Sequence, residues 1–244
     1  MRAILKSDIH EIIERSKANL QLLQGKRVLI TGAAGFLGTY FFSVFTELNS
    51  YFKEISQVPV TVLAVDSFLL NPTEKEITSK STHTSWLVRD LTKDANFEGT
   101  FDYIIHCAGI ASPHHYRANP LMTIDVTIKA TRELLEKAKS DKSRMLFFSS
   151  SEVYGDPSPN NVPTKEEYRG NVSSRGPRAC YDESKRLGET LCWVYQHYFD
   201  VHVSVVRPFN VYGPGMLPND FRVLPNFAQA VSNKKSLEVY GTGD

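Results

Sequence analysis

Arg27-Val28-Leu29-Ile30-Thr31-Gly32-Ala33-Ala34-Gly35-Phe36-Leu37-Gly38 is the stretch that decides the fold. An apolar run of strand type enters a glycine turn, and an apolar helix follows through Phe41, Phe42, Val44, Phe45 and Leu48. Strand, glycine turn and helix form the setting that a dinucleotide fingerprint needs. Gly32 allows the tight turn, and Gly35 lets the backbone approach a pyrophosphate at the positive end of the helix. Gly38 permits close packing of helix on strand. A bare glycine triplet could be an ordinary turn. In this setting Gly32, Ala34, Gly35, Phe36, Leu37 and Gly38 are read as a cofactor cradle.

Downstream, residues 60–66 form a second strand that ends on Asp66. An acid there can accept hydrogen bonds from an adenosine ribose and repel a 2′-phosphate, which favours NAD over NADP. The interval from Gly38 to Asp66 exceeds the usual ~20 residues, so residues 49–59 are expected to be a surface insertion or an extended helix end. Residues 84–88 suit a third strand, followed by Asp90 and Leu91. Residues 101–109 carry a fourth strand through His106 into the small turn at Ala108 and Gly109, where a backbone can pass under a cofactor. His106 is read as a packed core histidine, and His114-His115 as part of a Pro-containing loop. Adjacent histidines point different ways, so no metal is expected.

Residues 145–148 form a fifth strand that delivers Ser149-Ser150-Ser151-Glu152 to its carboxyl end, where open α/β sheets bind ligands. The bland reading is a turn with a solvated acid. The sharper one is a hydroxyl and a carboxylate ready to contact a sugar. Tyr181 and Lys185 then stand four residues apart in a helical stretch, on one face. An ammonium so held favours the phenolate and lowers a pKa that is otherwise about 10. That makes Tyr181 a candidate general base. Many helices carry such a pair by chance; the glycine turn upstream gives this one weight.

The N-terminal residues 4–23 alternate apolar and charged positions at helical spacing and read as an amphipathic packing helix. The 244 residues carry 41% hydrophobic side chains and a net charge of +1. This composition speaks against nucleic acid as a partner and against an acidic tail. Three cysteines, Cys107, Cys180 and Cys192, show no C-x-x-C pairing. No stretch is long and apolar enough to span a bilayer or serve as a signal peptide, so a reducing, cytoplasmic setting is expected.

Thr31-Gly32-x-x-Gly35-Phe36-x-Gly38 resembles the extended short-chain dehydrogenase/reductase family, whose members modify nucleotide sugars. Within it, Ser151-Glu152-Val153-Tyr154-Gly155-Asp156-Pro157, Gly176-Pro177-Arg178-Ala179-Cys180-Tyr181-Asp182-Glu183-Ser184-Lys185-Arg186 and Arg207-Pro208-Phe209-Asn210-Val211-Tyr212-Gly213-Pro214 resemble UDP-glucuronate decarboxylases. So do Asp220-Phe221-Arg222-Val223 and Asn226-Phe227. The resemblance implies a doubly wound parallel Rossmann sheet over residues 26–207, an N-terminal extension over 1–25, and the start of a small substrate-binding lobe over 208–244, cut short before its end. It places Asp90, Leu91 and Ala108 at the cofactor and assigns catalysis to Tyr181, Lys185, Ser150 and Glu152. Ser151, Arg178, Asn210 and Arg222 fall on the substrate side, although Arg222 reads equally as loop surface charge and Asp90 as a polar strand end.

The reaction so implied begins with Tyr181, aided by Lys185, taking the proton from a sugar O4 while C4 passes hydride to NAD. The 4-ketone lies β to the carboxylate, CO2 leaves, and the hydride returns to give UDP-xylose. Ser150 would hydrogen-bond the oxygen and Glu152 would assist at C5 or position the ring. The alternatives are a nucleotide-sugar 4-epimerase or 4,6-dehydratase and, in another class, an NAD-binding regulatory protein. A homodimer built on two helices per subunit is also implied. This chain departs from the family pattern at Thr127 (usually asparagine), Ser150 (usually threonine) and Gly215 (usually arginine), and it ends at Gly241-Thr242-Gly243-Asp244.

Overall fold

A computed structural model describes residues 3–69, 82–217, 220, 222–239 and 241. The expected motif residues Phe221 and Thr242 to Asp244 lie outside them. Six parallel strands run in the order β3-β2-β1-β4-β5-β6. They are β1 (Arg27–Thr31), β2 (Thr61–Asp66), β3 (Thr84–Val88), β4 (Tyr103–His106), β5 (Arg144–Phe148) and β6 (His202–Val206). Val28, Leu29 and Ile30 are fully buried at the centre, because helices cover both faces of a parallel sheet. The strand order reverses between β1 and β4, each of which pairs with the other in register Thr31 to His106. This is the doubly wound order expected from the glycine turn, and ligands of such sheets bind at the carboxyl ends beside that reversal.

Helix α1 (Ala3–Leu20) packs Ile9 and Ile13 against Val44 of α2 (Phe36–Glu54). The amphipathic spacing at the N-terminus thus forms the packing helix it predicts. Tyr40 of α2 brings its hydroxyl within 3.0 Å of the Asp8 carboxylate and 3.1 Å of the Pro214 carbonyl. The long interval before Asp66 is mostly a lengthened α2 and not an insertion. Asn49, buried in that helix, exchanges hydrogen bonds with the Val60 backbone at 2.8 and 2.7 Å, which docks the helix end to the start of β2.

His114-His115, expected in a loop, belong instead to a short helix α3 (Pro113–Ala118) started by proline at its first turn. Helix α4 (Pro120–Asp141) follows, and α5 (Ala179–Tyr198) packs beside it over the face that holds Phe147. Gly188 allows that approach: a Cβ there would stand 2.6 Å from the Phe147 ring. Strand β6 is a half-exposed edge, and the last helix, α6 (Val223–Ser232), has no buried residue. Among the described residues no helix is long and apolar enough to cross a membrane.

Candidate active site

The cavity at the carboxyl ends of the strands is built from five segments. The glycine turn after β1 comes first. Gly32 has φ +70, and a Cβ on it would lie 2.5 Å from the Ala108 amide nitrogen. The exits of β1 and β4 therefore touch at the strand-order reversal, which only a glycine permits. Gly38 is equally constrained, with a Cβ position 2.1 Å from the Gly32 carbonyl oxygen. Helix α2 begins at Gly35 with no side chain capping it, so its first-turn N–H groups and dipole favour an anion.

Two cavities meet at this turn, each lined by Gly32, Gly35, Cys107 and Gly109. The smaller holds Asp66, Asp90, Leu91 and Ala108, all four expected there. Asp66 accepts the Ala34 N–H at 2.9 Å and the Phe68 N–H at 2.8 Å. Burial raises its carboxyl pKa, and those N–H groups partly offset the effect. Asp90 accepts from both the amide and the hydroxyl of Thr92. These bonds and Lys93 outweigh burial and hold its pKa below the ordinary value. Its partners suit the polar strand end, its position the cavity.

The larger cavity gathers Ser150, Ser151, Glu152, Arg178, Tyr181, Lys185, Asn210 and Arg222 with the glycine turn. Ser150 caps the 3-10 turn Ser151–Tyr154 and accepts the Glu152 N–H. Backbone bonds hook this turn onto the end of β6 and the chain after it, Ser149 N–H to the Val206 carbonyl and Ser151 N–H to that of Pro208. Tyr181 and Lys185 do share the inward face of α5, at 6% and 4% exposure. The expected lowering of the phenol pKa is not found. Burial raises the Tyr181 pKa, Ser150 hydrogen bonding opposes this, and the charges of Glu152 and Asp182 add to the rise. Lys185 has another engagement: its Nζ donates to the Phe148 carbonyl at 2.6 Å and stands 5.9 Å from the Tyr181 ring centre. Burial lowers its own pKa to about 8.

Three further positions have partners that the sequence did not announce. Arg178, expected toward substrate, pairs with the Glu152 carboxylate and donates through Nε to Asp182 Oδ2 at 3.3 Å. Arg222 pairs bidentately with Asp220. Thr127, in place of the usual asparagine, donates its hydroxyl to the Thr123 carbonyl one turn back. His106 is a packed histidine as read: its ring lies between the Thr31 and Thr131 hydroxyls, and burial lowers its pKa to about 3. Among the described residues no group of three His, Cys, Asp or Glu could hold a metal.

Sequence reasoning missed Tyr116, Asp182 and Ser112. Tyr116 was hidden because residues 113–118 carry no helical periodicity, and Asp182 because an acid beside Tyr181 reads as surface charge. Ser112 lines the cavity and donates to the Asp220 carbonyl at 2.7 Å. No spacing within the chain signals a contact between loops so far apart.

The sequence matches the family model described as NAD dependent epimerase/dehydratase family over residues 28–244. The chain belongs to that family. Among curated members, it is 38% identical over 221 residues to UDP-glucuronic acid decarboxylase 1 of Xenopus tropicalis, covering 90% of this chain and 49% of that protein. UDP-glucuronic acid decarboxylase 2 of Arabidopsis thaliana is 38% identical, with 90% and 46% covered. The chain thus spans about half the length of the curated relatives it matches. Among epimerase/dehydratase structures, a UDP-N-acetylglucosamine 4-epimerase from Methanobrevibacter ruminantium M1, in complex with UDP-N-acetylmuramic acid, superposes with a TM-score of 0.73 at 26% identity. It covers 90% of this chain and 67% of its own. UDP-glucuronic acid 4-epimerase from Bacillus cereus shares the fold at TM-score 0.67 and 24% identity, with 89% and 67% covered.

Proposed function

We propose that this chain carries the NAD site and catalytic centre of a UDP-glucuronate decarboxylase, which makes UDP-xylose through a transient 4-ketone. The observation that carries the reading is the convergence of Tyr181, Lys185, Ser150, Glu152 and Arg178 on a cavity continuous with the glycine turn. The likeness to UDP-glucuronic acid decarboxylases supports the choice of substrate.

The groove fits a dinucleotide. Gly32 and Gly38 leave no room for a side chain, α2 offers uncapped amides for a diphosphate, and Asp66 with Asp90 and Leu91 suits an adenosine. Bound NAD would supply a hydride acceptor and donor at the sugar C4. Tyr181 would take the O4 proton and later return it. Lys185 would stabilise the phenolate, which burial otherwise disfavours. Decarboxylation leaves negative charge on O4, where the Ser150 hydroxyl and the Tyr181 O–H would serve as donors. A proton delivered to C5 with the assistance of Glu152 would restore the 4-ketone before the hydride returns. Arg178 would be the cation for the sugar carboxylate, held meanwhile by Glu152 and Asp182. Asn210 and Arg222 would face the diphosphate and the nucleotide.

A homodimer through α4 and α5 suits the exposed Leu121, Ile124, Leu187 and Trp193. A reducing, cytoplasmic setting suits the three free thiols.

The test is incubation of the chain with NAD and UDP-glucuronate, followed by mass spectrometry. Loss of CO2 is the expected result. An isomer of unchanged mass would mean 4-epimerisation, and loss of water would mean dehydration. NAD binding without any altered nucleotide sugar would favour a regulatory protein and sink the decarboxylase reading.

A further inference from the structure

Outside the cavity, a second polar cluster braces the turn that carries Ser150 and Glu152. Glu189 follows Lys185 by one turn of α5. Its Oε1 accepts the Ser149 hydroxyl at 2.5 Å and the Arg207 Nε at 2.8 Å, and its Oε2 accepts Arg207 Nη2 at 2.7 Å. Arg207 Nη1 also donates to the Tyr154 hydroxyl at 2.9 Å and the Glu166 carbonyl at 2.8 Å. Its guanidinium lies 4.9 Å from the centre of the Tyr154 ring. Neither side chain is a surface charge, at 26% exposure for Arg207 and 18% for Glu189.

These contacts enclose the catalytic turn at both ends. Ser149 precedes Ser150 and Tyr154 ends the 3-10 turn, and both are tied to the same ion pair. The backbone bonds of Ser149 and Ser151 go to Val206 and Pro208, which flank Arg207. The bidentate fork fixes orientation as well as distance, which a lysine could not do. We infer that Glu189 and Arg207 are positioning residues, whose pair holds Ser150 and Glu152 in register with Tyr181 and Lys185.

The inference rests on the proposed reaction for its kinetic consequence, and it has an electrostatic one of its own. Lys185 is faced by His106 and Cys107 from the end of β4, and by the Phe147 ring and Phe148 carbonyl from β5. Tyr181, Glu189 and Cys192 face it from its own helix. Glu189 is the carboxylate in this set, and its charge favours the ammonium against burial.

The experiment is Glu189→Gln in the full chain, with Lys185 titrated through its 13Cε resonance and assigned by its loss in Lys185→Arg. The Lys185 midpoint is expected to fall, because the carboxylate that favours the ammonium is removed. kcat is expected to fall at least about tenfold, with KM held within about threefold. Glu189→Gln leaves Arg207 without its counter-charge and could fail to fold. Glu189→Leu/Arg207→Met replaces the pair by apolar side chains, a change that buried pairs tolerate in stability. It is expected to unfold at the wild-type temperature by circular dichroism and still lose kcat. A folded Glu189→Gln with an unmoved Lys185 midpoint, or a folded double variant with wild-type kcat, overturns the inference. A wild-type chain that alters no nucleotide sugar rejects the proposed reaction. The Ser150 and Glu152 amide resonances of the double variant, displaced if the pair holds the turn and unmoved if it does not, then decide the positioning role.

Discussion

Tyr116 and Tyr181 lie face to face, with ring centres 5.3 Å apart and planes 7° from parallel. Tyr116 is 1% exposed and sits in a small cluster with Ile110. The rotamer of the candidate base is therefore set from α3, a helix that brings no catalytic group of its own.

Tyr116 bears a buried hydroxyl without a hydrogen-bond partner among the described residues. Tyr116→Phe removes that unmet group and keeps the stack. The unfolding free energy in urea should stay unchanged or rise by up to about 1 kcal/mol. Tyr116→Ala empties a ring-sized volume and should cost about 3–5 kcal/mol. A Phe variant less stable than wild type by more than the fitting error would contradict the unmet hydroxyl.

Lys185 gives a pH signature with a definite sign. Its folded pKa of about 8 lies below the ordinary 10.5, so between these values the unfolded chain binds more protons. The Lys185 contribution to stability therefore rises with pH across that window, and below pH 8 the buried charge costs about 3 kcal/mol. Lys185→Met should remove this slope. The stability of the wild type minus that of the variant, measured from pH 7 to 10.5 by urea titration, should increase with pH; a parallel pair of curves would refute it.

Gly38→Ala sets a methyl against the Gly32 carbonyl and the Ala33 Cα, both backbone, so nothing can yield without opening the turn. The cost should be at least about 3 kcal/mol, with dinucleotide affinity lost together with the turn. Gly188→Ala meets the end of the Phe147 side chain and should cost less. Thermal unfolding of the two variants, side by side, checks the order.

Asp66→Asn keeps an acceptor for the turn and removes the charge that would repel a 2′-phosphate. The ratio of NAD to NADP affinity should fall at least about tenfold, equivalent to about 1.4 kcal/mol. Fluorescence titration with both dinucleotides measures it. An unchanged ratio would mean that Asp66 serves the Ala34 and Phe68 amides alone.

The sequence by itself determined the parallel sheet, the turn at Gly32, Gly35 and Gly38, the acid at Asp66 and the shared helix face of Tyr181 and Lys185. All of these rest on short-range periods and turn chemistry, which act within a few residues and are written there. Only the tertiary structure decided the electrostatics and the partners. The spacing of Tyr181 and Lys185 promised a cation beside the phenol, yet burial, with the charges of Glu152 and Asp182, raises the Tyr181 pKa, and Lys185 donates to the Phe148 carbonyl. The resemblance placed Arg178 and Arg222 on the substrate side, and the fold gives each a carboxylate partner that no local spacing announces. Desolvation and ion pairing depend on which side chains arrive from distant segments. The α3 helix, the Asp182 tether and the Glu189–Arg207 brace exist only once the β-strands have brought their carboxyl ends together.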